Sequence, residues 1–344
     1  MRARADRCSL PHRLVIHVVI VNFNAGRMLA DAVASVIDAV DGVVVVDNAS
    51  RDGSIELLER QFAGRPSLTV VRRADNGGFA VGCNDGLRAI GWIGQGYDVP
   101  AAIESRGRSD VVAPSAQADQ RPNGPGEDLV LFLNPDARCL PGTVETLRRT
   151  IRSDARVGAV GGLLVDDKGV EQRGSRRDAP TPWRGFVRAF GLWPLGRWWP
   201  RLFPDFHLER RPLGTVPFAV DAVSGACIMV RRSAIDEVGP FDERYFLHCE
   251  DLDLCMRLNR AGWLVWCVPT ARVWHALRAT TRGRSLHTEW HKHRGMVRFY
   301  RTHFGPMHPE PLLWLVFLAV WARFTVAVLW ISLRRGVGKA LGRG

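Results

Sequence analysis

Apolar positions along the chain fall into two kinds of run. Residues 15–21 (VIHVVIV) and 129–133 (LVLFL) are nearly unbroken and rich in branched side chains, the pattern of strands covered on both faces in a parallel sheet. Residues 43–46, 68–71 and 158–165 have the same character. Between them, residues 28–40, 55–62, 79–90 and 143–151 repeat apolar positions at helical spacing. Strand, turn and helix alternating at this interval predict a doubly wound α/β sheet flanked by helices. Further on, residues 220–230 predict a strand with Ser224-Gly225-Ala226 inside it. Residues 263–268 predict another, and Val273-Trp274-His275 ends the core. Residues 91–128 break the rhythm: rich in Gly, Pro, Ser and Asp, they read as a long flexible surface insertion, to which no chemistry is assigned.

In such sheets ligands bind beyond the carboxyl ends of the strands. Asn22 follows the first strand, Asp47 and Asn48 the second, and Asn134-Pro135-Asp136 the central one. Any one of these is an ordinary polar turn; together they point to a shared pocket. Asp136, at the tip of a buried strand in a rigid Pro-containing turn, is placed either to hold a hard divalent cation such as Mg²⁺ or Mn²⁺ or to cap the helix after Pro141. Residues 75–84 (DNGGFAVGCN) form a glycine-rich loop that enters a helix, and such glycines allow close approach to a phosphate or a base. The loop is neither a dinucleotide fingerprint nor a P-loop. His275, after a strand, is open between a metal ligand and a core histidine. His287, His291 and His293 lack the H-E-x-x-H pattern, so no zinc site is expected there.

The densest chemistry lies in residues 246–258 (FLHCEDLDLCMRL), which place the carboxylates Glu250, Asp251 and Asp253 within four positions. Leu254, Leu258 and Ala261 follow at helical spacing, and Gly262 closes the run as a C-cap would. The acids therefore sit at a helix N-terminus, where free N–H groups and the macrodipole stabilise negative charge. Plain N-capping is one reading. The other is a half-buried carboxylate with a raised pKa, fit to act as a base near neutral pH.

Composition adds partners and compartment. A net charge of +12 and a pI near 10.2 call for an anionic partner: nucleic acid, anionic lipid or a phosphorylated substrate. No nucleic-acid motif is present, so no specific nucleic-acid binding is expected. Seven cysteines without C-x-x-C spacing read as buried, reduced thiols of a cytoplasmic protein. The basic tail 1–13 lacks a long apolar follow-on and does not read as a signal peptide. Residues 173–215 interleave Trp183, Phe186, Phe190, Trp193, Trp198, Trp199, Phe203 and Phe206 with arginines, which suits a membrane interface or an acceptor groove as well as a packed irregular loop. Residues 312–333 are apolar apart from Arg323, Thr325 and Ser332 and are flanked by basic residues on both sides. This segment reads as a helix lying in an anionic membrane surface, spanning the bilayer, or packing on the protein.

Taken together, the motifs VIVNFN, VDNASRDGS, NGGFAVGCN, LNPDA, SGACIMVRR and GPFDERYFLHCEDLDLCMRLNRAGW, with the strand-end His275, resemble family 2 glycosyltransferases of the GT-A fold. The nearest likeness is to the bacterial rhamnosyltransferase-like subgroup. The resemblance runs from about residue 15 to 304 outside the insertion. It implies a GT-A domain over 14–305, a mixed sheet flanked by helices, and a membrane-associating C-terminal extension over 306–344 at the inner face of the cell membrane. It also implies an inverting, metal-dependent transfer of a sugar from a nucleotide diphosphate donor (dTDP-rhamnose or a UDP-sugar) to a glycan acceptor linked to a polyprenyl diphosphate. By motif, Asn22 and Asp47 would contact the nucleotide, with Asn48 beside them and Asn76 and Asn84 lining the same pocket. Asn134 stands where the family's Asp-x-Asp begins. Asp136 matches the metal-holding acid, with His275 completing the metal shell. Asp251 matches the catalytic base, supported by Glu250. The rival readings are a nucleotidyltransferase, whose Arg- and Lys-bearing phosphate loop is missing from residues 22–26, and a non-catalytic sugar-nucleotide-binding scaffold, which would be expected to have lost the acids.

Overall fold

The two unbroken apolar runs lie side by side at the centre of one sheet in a computed structural model that describes residues 14–94, 127–203, 208–209, 212–276 and 286–340. The basic tail 1–13, most of the 91–128 insertion, residues 204–207 and 210–211 of the aromatic segment, residues 277–285 and the last four residues lie outside the described residues. Strand β1 (Ile16–Asn22) pairs in parallel with β2 (Gly42–Asp47) on one side and with the central strand (Leu129–Leu133) on the other. β3 (Leu68–Arg72) extends the parallel set beyond β2, and the central strand is β4. All residues of β4 are buried, as an unbroken apolar run requires.

Past β4 the sheet turns mixed. β5 (Ala137–Cys139) follows β4 after only the Asn134-Pro135-Asp136 turn, yet it lies at the far edge of the sheet. Strands β6 (Val157–Val165), β10 (Cys227–Arg231) and β11 (Leu264–His275) fill the space between, β10 running antiparallel to both β4 and β6. β11 pairs in parallel with β6 and antiparallel with β5, matching His275 to Ala137. The turn that carries Asp136 thus lies at the edge of the sheet where β6 and β11 end and β10 begins. The short strands β7 (Arg176–Arg177) and β9 (Ala222–Val223) form a separate ribbon, and β8 (Phe218–Ala219) adds to β11.

The predicted strand over 220–230 is interrupted. Ser224-Gly225-Ala226 leaves the ladder between β9 and β10 because the Gly225 N–H bonds a side chain, Asp251, instead of a neighbouring strand. The predicted strands at 263–268 and 273–275 are one element with an irregular register between Val268 and Arg272. Helix α1 (Arg27–Ala34) stops short of the predicted residue 40, where the Ser35 hydroxyl donates to the Ala32 carbonyl at 2.7 Å and the chain goes on in turns. Helix α2 (Ser54–Gln61) lies close to its predicted span.

Helix α3 (Phe79–Ala89) shows what the glycine-rich loop is for. A Cβ on Gly82 or Gly86 would meet Val21 or Val19 at 2.6 and 2.3 Å, so these glycines let α3 sit directly on β1. Gly78, with φ of 90°, would meet the Phe246 carbonyl at 2.3 Å, and the Phe79 N–H donates to that same carbonyl. At these three positions the close approach is between backbone and protein.

Helices α4 (Thr143–Arg152), α5 (Pro182–Ala189) and α6 (Arg232–Val238) complete the flanks up to the acid-bearing helix α7 (Glu250–Arg260). α8 (Leu286–Phe304) then leads to the long α9 (Glu310–Ala340). Leu313, Phe317 and Val320 of α9 are buried in the same core cluster as Tyr300 and Phe304 of α8. Trp314, Leu315, Leu318, Val326, Leu329 and Leu333 are exposed. Over Glu310–Leu333 the mean hydropathy is 2.2, long and apolar enough to cross a membrane. The six described cysteines are buried and unpaired.

One ionic knot ties these helices together. Asp253 accepts from Arg257 and meets the His303 Nε2, both at 2.8 Å, while Arg257 also donates to the carbonyls of Val238, Gly239 and Pro240. Burial alone would raise the Asp253 carboxyl, but Arg257 and His303 hold it well below the usual range. Arg257→Leu should therefore destabilise the protein by about 3–5 kcal/mol in urea unfolding, because it strands a buried carboxylate and three carbonyls; an unchanged midpoint would show the knot to be dispensable.

Candidate active site

Two adjacent loops gather the first group of polar side chains, at the carboxyl ends of β1 and β2. Asn22 is fully buried, and its amide donates to the Asp47 carboxylate at 2.8 Å and to the Ser50 and Ser54 hydroxyls at 3.0 and 2.9 Å. Asp47 also accepts from the Ser50 N–H, and the Asn22 carbonyl accepts from the Asn48 N–H at 2.8 Å. Asn48 reaches across to the Gly78 carbonyl at 3.0 Å, and Asn76 accepts from the Gly78 N–H. The oxygens of the Asn22 and Asn48 side chains are buried without a partner. Asn24 and Ala49 both adopt positive φ, so the loops hold a conformation that ordinary side chains resist.

Asn84 lies elsewhere than the sequence implies. Its amide is engaged on both sides, donating to the Phe241 carbonyl and Glu243 and accepting from the Phe241 N–H at 3.0 Å. It joins α3 to the turn before α7 and offers no free hydrogen-bonding group to a pocket.

Asp136 is 2% exposed, and neither of its carboxylate oxygens has a hydrogen-bond partner. Burying an unpaired carboxylate is costly, so such a group calls for a cation. The His275 Nε2 stands 3.4 Å from it. The other ring nitrogen, Nδ1, is 2.9 Å from Gln172 Oε1, and the Gln172 amide donates to the His275 carbonyl at 2.6 Å. Gln172 Oε1 can only accept, so Nδ1 carries a proton toward Gln172 and Nε2 is the ring nitrogen turned to Asp136. Two oxygens and an imidazole nitrogen are a donor set that fits Mg²⁺ or Mn²⁺ with substrate oxygens filling the remaining positions. Gln172 was not foreseen from sequence; nothing in its local pattern marks it. Asn134 is held in the same turn by its N–H, which donates to the Ala226 carbonyl at 3.0 Å.

The Ser224–Ala226 break that holds the Asn134 turn through Ala226 also meets Asp251 through Gly225. Asp251 Oδ2 accepts from Arg177 at 2.5 Å and from the Gly225 N–H at 3.0 Å, and Oδ1 accepts from the Leu252 N–H at 2.8 Å. A Cβ on Gly225 would lie 3.1 Å from that of Asp251, a tight approach that a small residue eases. Burial pushes the Asp251 carboxyl up, but the Arg177 charge and the three donors outweigh it and keep the group ionised. Glu250 takes the opposite course: burial and the neighbouring Asp251 charge push it up to about 8, and its Oε2 is buried without a partner. The raised pKa expected of the pair therefore belongs to Glu250 alone. His248 and Cys249, just before them, have φ of 68° and 72°, a strained turn that aims both acids. Arg177 was also missed; only its place in an arginine-rich stretch hinted at it.

Comparison with known proteins agrees with this geometry. Residues 17–91 match the family model glycosyl transferase family 2, and residues 188–294 match glycosyltransferase like family 2. The N-acetylglucosaminyl-diphospho-decaprenol L-rhamnosyltransferase of Mycobacterium tuberculosis is 30% identical over 311 residues, covering 87% of this chain and 88% of that protein. The low-salt glycan biosynthesis hexosyltransferase Agl10 of Haloferax volcanii is 23% identical over 71% of this chain and 62% of its own length. Among solved structures, the mannosyltransferase PcManGT of Pyrobaculum calidifontis, in complex with GDP-Man and Mn²⁺, shares the fold with a TM-score of 0.50 at 16% identity, over 96% of this chain and 82% of that one.

Arg177→Gln should raise the Asp251 pKa. The wild-type carboxylate, depressed on folding, contributes stability above its unfolded value of about 3.9 and loses it as pH falls through the folded value. Relative to wild type, the variant should be least stable at neutral pH. The gap should narrow from the variant's raised pKa downward, as urea unfolding against pH will show; a pH-independent gap would mean that Arg177 acts by packing. With a mixed GT-A-type sheet, paired acids at a helix N-terminus and a relative matched along nearly its whole length, the chain belongs to glycosyltransferase family 2 and is a rhamnosyltransferase-like enzyme within it.

Proposed function

We propose that the protein transfers a deoxyhexose such as rhamnose, with inversion, from a nucleotide diphosphate sugar to a hydroxyl of a lipid-diphosphate-linked glycan in cell-envelope synthesis. The observation that carries this reading is the ionised, triply held Asp251 carboxylate, reached through the same break that anchors the Asp136 turn. The relative matched over 87% of the chain acts, by its name, on a decaprenol-linked acceptor, which supports that acceptor class.

In this mechanism the Asn22–Asp47–Asn48 floor receives the nucleoside, with the unpartnered Asn22 and Asn48 oxygens open to donors of the base or ribose. Asp136 and His275 would hold the divalent ion, Mg²⁺ or Mn²⁺, with Gln172 fixing the imidazole. A cation bound there neutralises the diphosphate and makes it a better leaving group. Asp251 takes the proton of the acceptor hydroxyl as that oxygen attacks the anomeric carbon from the face opposite the leaving group. Its low pKa limits its strength as a base, so Arg177 must give way in part to the acceptor as the proton moves. Glu250, its carboxyl pushed up to about 8 by burial and the Asp251 charge, adds no second negative charge beside Asp251 at pH 7. The exposed apolar face of α9 and the basic charge support a site of action at the cytoplasmic face of the membrane.

A donor screen tests the reading. Protein in detergent with lipid extract is given Mn²⁺ or Mg²⁺ and dTDP-rhamnose, UDP-hexoses or GDP-mannose, and nucleotide diphosphate release is followed. Release is expected with dTDP-rhamnose, and Asp251→Asn should lower kcat by about 10²–10⁴-fold while leaving donor-induced thermal stabilisation in place; lost donor binding would remove Asp251 from the role of base. Separately, Asp136→Ala should bring donor affinity in Mn²⁺ down to the value without metal, by isothermal titration. A metal dependence that survives in this variant would move the ion elsewhere.

A further inference from the structure

A cavity of about 920 Å³ opens between α5, α8 and α9, well away from the nucleotide floor. Its size is near the upper end of the roughly 300–1,000 Å³ usual for ligand sites. Trp183, Phe186 and Phe190 of α5 form one wall as an aromatic ladder, with neighbouring ring centroids 5.4 and 4.5 Å apart. Leu315 and Ala319 of α9 form the opposite wall. No acidic residue lines it, and among the described residues no carboxylate pairs with Arg323, the guanidinium that α9 contributes to the lining. A half-buried cation at the lining of an apolar cavity, with no carboxylate beside it, suits an anionic amphiphile.

The cavity lies across α8 from the turn that leads into the acid pair. α5 begins five residues after Arg177, which grips Asp251. α8 separates cavity from turn: a Cβ on its Gly295 would stand 3.0 Å from the His248 carbonyl, and Tyr300, in the cavity lining, lies within electrostatic reach of both Cys249 and Arg323. Resting on the lipid-acceptor reading above, we propose that this cavity seats the isoprenoid chain of the acceptor, with Arg323 meeting its diphosphate. The chain would run between the α5 ladder and α9 while the sugar hydroxyl reaches Asp251. A bilayer phospholipid would need only the exposed face of α9 and no such cavity.

The test compares N-acetylglucosaminyl diphosphates carrying a decaprenyl or a geranyl chain. Wild type should favour the long chain in kcat/KM. Ala319→Trp, which fills the cavity, and Arg323→Gln, which removes its charge, should each lower that preference about tenfold. Both variants should keep donor-induced thermal stabilisation and wild-type binding to acceptor-free vesicles of phosphatidylglycerol and phosphatidylethanolamine. If Ala319→Trp loses the donor response, Arg323→Gln decides. An unchanged chain preference overturns the proposal, as does a loss of binding to acceptor-free vesicles that parallels the loss of activity, which would make the cavity a seat for bulk lipid. Transfer by wild type only to acceptors without a lipid diphosphate would instead sink the functional reading on which the proposal rests.

Discussion

The carboxylate of Asp251 takes its donors from parts of the chain far apart in sequence: Arg177, 74 residues before it, Gly225, 26 residues before it, and its own neighbour Leu252. Removing a charged group from water is favourable only when such partners are in place. β9 and β10 must therefore be separated by a break at Gly225, and β7 must pair with β9 to bring Arg177 to the site. The same break gives Ala226 its bond to the Asn134 turn, so Asp136 and His275 inherit their position from it. One buried charge thus orders half of the surface at the carboxyl ends of the parallel strands.

The two halves of that surface differ in how they are held. The side carrying Asn22 and Asp47 is bound within itself, loop to loop, through Asn22, Asp47, Ser50 and Ser54. The side bearing Asp251 is assembled from long-range contacts and carries backbone strain at His248 and Cys249. Strain of this kind persists only where the surroundings over-determine it, and here the Asp253–Arg257–His303 knot lies directly behind.

Much of this arrangement could be read from the chain. The parallel strands were legible because burial on both faces leaves an unbroken apolar run, and the acids at the start of α7 because helical spacing follows them directly. The direction of β10 was not legible, since periodicity carries no sign. Asp251 and Asp253 show the limit most clearly. They are the same residue type, two positions apart, yet one holds the site open to chemistry and the other locks helices together. What separates them is Arg177 in one case and His303, 50 residues onward, in the other. The glycine loop was legible as a place of close approach, but its partner at Gly78, Phe246, lies too far along the chain for local pattern to name.

The position of β10 has a consequence for how the chain is made. β3, β2, β1 and β4 can pair as soon as residue 133 has left the ribosome, but the open side of β4 finds its neighbour only when residues 227–231 arrive. Until then a fully apolar strand presents unpaired backbone groups along one edge. Closure of the sheet is a late event of high contact order, and the nascent N-terminal half is the species that a chaperone has most reason to meet.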